Sequence, residues 1–169
     1  MKKLNLLLPV VLLTVISLSS CKKGDDGAQG PPGTANVIYS AWLDVKFTPQ
    51  VASPGDTTGW SAIINAPKLT DSVLNKGEIK VYVNVGSSTS PSVFSLPINS
   101  DLGFVLIPYF QVGKINLISD IDGGTETGTG GQKFFQYRYV LIPGAAPARM
   151  ATIDWNNYAE VKRYLNLKD

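Results

Sequence analysis

The chain has 169 residues, with 15 basic and 13 acidic side chains, one cysteine and no histidine. Without histidine, Ser-His-Asp and Cys-His nucleophile systems and every histidine-containing metal site are excluded, and a near-neutral charge gives no electrostatic footprint for nucleic acid. Any catalysis would fall to Asp, Glu, Lys, Tyr or Ser, or to a metal held by oxygens.

Lys2 and Lys3 precede an apolar run, residues 6–18, relieved only by Thr14 and Ser17 and followed by the small Ser19 and Ser20. This is a secretory signal pattern. A spanning helix needs about 20 apolar residues, whereas this run is shorter, holds Pro9 and ends against Lys22 and Lys23. Leu18-Ser19-Ser20-Cys21 resembles the bacterial lipobox. The resemblance implies that the Cys21 thiol is lipidated and that the chain is cut just before it. One acyl chain anchors only marginally at about 0.8 kcal/mol per buried methylene, while the diacylglyceryl plus N-acyl group implied here holds far longer. Cleavage leaves 13 basic against 13 acidic residues, so attachment is expected to rest on the lipid alone.

Glycine then recurs at every third place, Gly24, Gly27, Gly30 and Gly33, ending in Gly-Pro-Pro-Gly. That is the collagen period, but three triplets fall short of a stable triple helix, so a trimer is not the expected state. A stiff spacer is expected instead, an exposed arm reaching roughly 40 Å and making no stable contacts with the domain. The organisation read from this is a lipoprotein signal at 1–20, a lipidated collagen-like tether at 21–35 and a single β-rich domain at 36–169.

Within the domain, residues 36–47 alternate, placing Val37, Tyr39, Ala41, Leu43, Val45 and Phe47 on one face of a half-buried first strand. Residues 48–59, rich in Pro, Gly, Ser, Thr and Asp, read as a loop before a short strand at 60–65, with Trp60 packed on the core or its rim. A short helix is expected within 67–77, with Thr70 as N-cap, Asp71 in the first turn and Gly77 at the stop. The strand at 78–85 turns Ile79, Val81, Val83 and Val85 inward and Glu78, Lys80, Tyr82 and Asn84 outward. A polar loop and a short strand at 93–96 follow.

Residues 103–111 are almost continuously apolar, as in a strand covered on both faces, but Pro108 requires an edge or a bulge. Gly113 turns this strand into a partner at 114–119, and residues 120–131 form a flexible glycine and threonine loop before one long strand at 133–142. After a break at 143–147, Asp154 is expected to cap a terminal helix whose stripe of Trp155, Tyr158, Val161 and Leu165 packs on the sheet. The fold class is therefore mainly β: an antiparallel β-sandwich or open barrel with one short inserted helix and a C-terminal helix.

The order of features resembles predicted lipoproteins of Bacteroidota-type bacteria that carry a lipobox, a short Gly-X-Y tract and one β-rich domain. Cys21, the 24–33 tract, the segments 34–40 and 137–144 and the C-terminal 158–167 carry the resemblance. It implies an outer-membrane-anchored location in the cell envelope and this architecture, and it transfers no functional residue.

Three chemistries are open to these residues. Asp120, Asp122 and Glu126 begin like a calcium loop, yet Gly124 and Gly131 stand where later ligands belong, so a metal is not expected. Glycoside hydrolysis needs two opposed carboxylates, and nothing in the spacing of Asp44, Glu78, Asp101 and Glu126 selects a pair. Asp56-Thr57-Thr58 and Asp71-Ser72-Val73 resemble short O-glycosylation patterns of exported proteins, pointing to Thr57 and Ser72, although turn and cap chemistry also explains them. The expectation is a non-enzymatic envelope lipoprotein, without cofactor, whose domain binds a protein or glycan. The alternative is a carboxylate-dependent hydrolase or glycan-processing enzyme.

Overall fold

A computed structural model describes residues 37–100, 102–144 and 153–168, which fall within one compact unit, Gly33–Asp169. The signal, Cys21, the Gly-X-Y tract and Asp101 lie outside the described residues. The chain is mainly antiparallel β, arranged as a sandwich without a closed barrel. Its strands are β1 (Ile38–Tyr39), β2 (Thr48–Ser53), β3 (Asp56–Asn65), β4 (Glu78–Asn84), β5 (Val93–Ser95), β6 (Ile98–Asn99), β7 (Val105–Gln111), β8 (Lys114–Ser119), β9 (Glu126–Thr127), β10 (Lys133–Phe134) and β11 (Gln136–Ile142). Among the described residues two helices, α1 (Asp71–Lys76) and α2 (Tyr158–Leu165), complete it.

One sheet runs β1-β11-β4-β5, the other β2-β3-β8-β7-β6, and β9 pairs with β10 apart from both. Period-2 alternation builds the space between the large sheets. Val81, Val83, Tyr137, Tyr139 and Leu141 from the four-stranded sheet join Ala62, Ile64, Leu106, Ile115 and Leu117 from the five-stranded sheet in one buried cluster. A second cluster lies on the other side of the four-stranded sheet, where Tyr82, Val140 and Ile142 pack against Tyr158, Val161 and Leu167. The four-stranded sheet is thus buried on both faces, because α2 covers the face that the sandwich leaves open.

This cover corrects the expectation for β4. Tyr82 and Asn84, assigned to the solvent side by alternation, are buried, and Tyr82 donates its hydroxyl to the Trp155 carbonyl at 3.0 Å. The terminal stripe of Trp155, Tyr158, Val161 and Leu165 does pack on the sheet. Its cap is Asn157 rather than Asp154: the Asn157 side chain accepts from Glu160 N at 3.3 Å, while Asp154 closes the preceding turn by accepting from Asn156 N at 2.9 Å.

The first strand is also different. Ser40 N donates to the Tyr139 carbonyl at 3.1 Å, and Leu43 bridges Tyr137, so three steps on one chain face two on the other. This is a β-bulge at Ala41-Trp42, and it reverses the parity of the alternation. Before it, Tyr39 faces out and Ser40 in; after it, Val45 and Phe47 face in. An unbroken alternation on paper therefore hides a switch of faces, and Trp42 is turned to the α2 side.

Residues 48–59, expected as a loop, form the hairpin β2–β3 through Pro54-Gly55, with Gly55 at φ +104°. All six residues of β2 are exposed, so no apolar alternation marked the strand; its register shifts at Gln50/Val51 and Val51/Ser53. Thr57 consequently lies in a strand. Trp60 is half-buried and packs against the core, as expected.

β7 is covered on one face only: Leu106 is buried, whereas Tyr109 is 48% exposed. β6, which was not anticipated, pairs only with Val105 and Leu106, so Pro108 stands on an open edge where its missing N–H costs no ladder bond. The Gly113 turn, at φ +77°, joins β7 to β8 as anticipated. The expected long strand at 133–142 is broken at Phe135, whose φ of +54° separates β10 from β11. Around α1 the reading held: Thr70 caps the helix by accepting from Val73 N at 3.3 Å, and Gly77 ends it.

Candidate binding cleft

The cleft sits where α2 stops short of the end of the four-stranded sheet. Register places Gln136 opposite Asn84 and Asn84 opposite Val93, so these three residues form one row across β11, β4 and β5. The next row, Arg138, Tyr82 and Ser95, lies towards the helix. There Arg138 is buried, donating to the Tyr158 hydroxyl at 2.5 Å and to the Lys168 carbonyl at 2.6 Å. The uncovered row becomes the floor of a cavity of about 500 Å³, walled by Trp42 and by Asn156, Asn157 and Ala159 at the start of α2. That volume is within the range of about 300–1,000 Å³ in which small-molecule sites lie.

Four carboxamides line the cleft beside Ser88, Tyr158 and Lys162, and most of the four are fixed in orientation. Asn84 Oδ1 accepts from Gly86 N at 3.1 Å and from Ser92 N at 2.9 Å. Two N–H donors demand the oxygen at that position, which settles the amide orientation and leaves Nδ2 with no acceptor among the described residues. Asn84 is only 3% exposed. Its Nδ2 is not fully enclosed, so it is open to solvent or a ligand acceptor in the cavity. Gln136 is set the other way: its Nε2 donates to Asp44 Oδ1 at 2.8 Å, leaving Oε1 as the acceptor. Asn157 Oδ1 is taken by the helix cap, which leaves its Nδ2 as a donor, and Asn156 Oδ1 lies 3.2 Å from the Ser95 hydroxyl.

Trp42 is held in the wall by the Tyr158 ring, 5.5 Å away between centroids, and by the Arg138 guanidinium, 5.0 Å from its own. The bulge after β1 delivers it there.

The carboxylates form a different region. Asp44, Asp122 and Glu126 line a shallower groove of about 410 Å³. Asp44 pairs with Lys133, and hydrogen bonds from Lys133 first and Gln136 second hold its carboxyl below the usual value. Asp120 is not brought into this groove: its Oδ1 accepts from Val105 N at 2.8 Å, while Asp122 Oδ1 caps Gly124 N at 2.9 Å. Among the described residues no group of three or more His, Cys, Asp or Glu could hold a metal ion. Glu78 is elsewhere, paired with Lys80 at 2.8 Å.

Nor does the 120–131 segment hang free, as was expected of it. The Tyr137 hydroxyl donates to the Gly123 carbonyl at 2.6 Å, and Thr125 exchanges bonds with Val45 while donating its hydroxyl to Phe135 O at 2.8 Å. A Cβ on Gly123 would come within 2.9 Å of that hydroxyl, so the loop fits there only as glycine. Burial raises the hydroxyl pKa of Tyr82, Tyr137 and Tyr139, keeping them protonated donors. Thr57 and Ser72 are both exposed, on the β2–β3 hairpin and in the first turn of α1.

Residue patterns pointed to none of Trp42, Asn84, Gln136, Asn156 and Asn157. The available signals were faint: a polar residue ending the valine-rich β4, and consecutive asparagines after Trp155. Comparison with known protein families, curated proteins and solved structures finds no match to this chain.

Proposed function

We propose that the protein is an envelope-anchored lipoprotein whose β-domain is a binding module, with the carboxamide cleft as its ligand site. The observation that carries this reading is Asn84, a nearly buried side chain whose acceptor is used by its own loop and whose donor faces the cavity. Carboxamides neither take up nor release protons in the physiological range, so the four in this cleft suit holding a ligand. Anchoring rests on the signal pattern and on Leu18-Ser19-Ser20-Cys21, with the Gly-X-Y tract as spacer. None of the helices among the described residues is long and apolar enough to cross a membrane.

The test is fractionation of cells making the full chain. Wild type should follow the membrane and incorporate labelled fatty acid, and Cys21→Ala should release it to the soluble fraction. Unchanged location in that variant would end the anchoring reading. A carboxylate-dependent hydrolase is the second reading, favoured only by the groove shared by Asp44, Asp122 and Glu126. Against it, a general acid needs a raised pKa, and Asp44 is pushed the other way by Lys133. Turnover of a glycoside that Glu126→Gln abolishes would reinstate it.

A further inference from the structure

The ligand class follows from how the cleft distributes its hydrogen-bonding groups, an inference that rests on the cleft being the binding site. Asn84 and Asn157 offer amide donors fixed by backbone N–H groups on their oxygens, and Gln136 Oε1 offers a fixed acceptor beside Asn84 in the same row. The rest of the lining sets the apolar Trp42, Pro91, Val93 and Ala159 beside the polar Ser88, Tyr158 and Lys162. A matching ligand carries several acceptors and at least one donor along one edge and C–H groups across a face. A sugar ring has that division, since each hydroxyl both donates and accepts while the axial hydrogens give it an apolar side that packs on aromatic rings.

Two features narrow the class. The Asp44 carboxylate that holds Gln136 is itself paired with Lys133, so the floor offers amide groups rather than a net charge. A peptide entering by strand addition needs the open backbone edge of a sheet, whereas this floor is the face of three paired strands and its polar groups are side chains. We propose that the cleft binds one sugar unit of a glycan, with a hydroxyl accepting from Asn84 Nδ2, a neighbouring hydroxyl donating to Gln136 Oε1, and the ring's C–H face against Trp42.

Calorimetric titration of the full-length chain in detergent with maltose, lactose, cellobiose and N,N′-diacetylchitobiose tests this, with trialanine as the peptide arm. At least one disaccharide should bind saturably. Asn84→Asp keeps an oxygen for the Gly86 and Ser92 N–H groups but removes the Nδ2 donors, so it should weaken that binding about ten-fold or more. Ala159→Trp, at an exposed position of α2 lining the cleft, should block it without touching the core. This second variant decides the matter if the first does not fold. Disaccharide binding that survives Ala159→Trp would place the sugar site elsewhere and overturn the assignment. Trialanine binding that Ala159→Trp abolishes, with no response to any sugar, would leave the cleft as a site but remove the sugar from it. Silence from every probe would also overturn the sugar class.

Discussion

The outer faces of the two large sheets have been treated in opposite ways. On the four-stranded sheet α2 covers Tyr82, Val140 and Ile142, and burial continues to the edge of the cleft. On the five-stranded sheet nothing among the described residues covers the corresponding face: Ile63 is 59% exposed and Tyr109 48%, with Ile118 beside them. Each face nevertheless holds one buried asparagine. Asn116 lies between Ile63 and Tyr109 and turns its Nδ2 to Gln111 Oε1 at 3.2 Å, within its own sheet. Asn84 engages its oxygen locally and leaves its nitrogen to the cavity. A buried amide thus becomes a recognition group only where neighbouring structure has fixed one end of it and left room at the other.

The contrast can be broken most severely at the covered face. Val161→Asp would put a carboxylate where Val161 is fully buried between α2 and the sheet. A loss of about 3 kcal/mol or more is expected, seen as a lowered melting temperature and as fast hydrogen exchange in β4 and β11. Tyr158→Phe is milder, removing only the hydroxyl that receives Arg138 Nη1. It should cost about 1–3 kcal/mol by denaturant titration and loosen Trp42, whose fluorescence would shift to the red. On the bare face, Ile63→Ser should change stability by no more than about 0.5 kcal/mol. A larger loss there would mean that the face is covered in solution.

The smallest expected effect is acid dependence at Asp44. Its folded-state pKa is held below the ordinary 3.8 by Lys133 and Gln136. The contribution is therefore complete above that value and disappears as the pH falls through the folded pKa. Asp44→Asn should melt slightly below wild type at neutral pH, and the gap should close below about pH 4. The pair is exposed, so ionic strength should narrow the gap as well.

Local rules recovered what local forces build. The Thr70 cap, the Gly113 turn, the inward valines of β4 and the edge position of Pro108 each follow from residues within a few places of one another. The hairpin β2–β3 was missed because neither face of β2 is buried, which leaves no hydrophobic alternation to detect. The cleft was illegible for another reason. Its parts come from positions 42, 84, 136 and 156–157, and their meeting depends on a parity switch at Ala41-Trp42 and on where a distant helix stops. Neither event leaves a spacing in the chain.

The irregularities of the five-stranded sheet matter most if the protein is concentrated on a membrane. Copies tethered side by side meet at high local density, and a long open strand edge would then template aggregation. Both open borders are blunted: β2 carries Pro49 and two register shifts, and β7 carries Pro108 just past the point where β6 ends. Neither border of this sheet can extend an intermolecular ladder without interruption, so crowding would not propagate pairing along it.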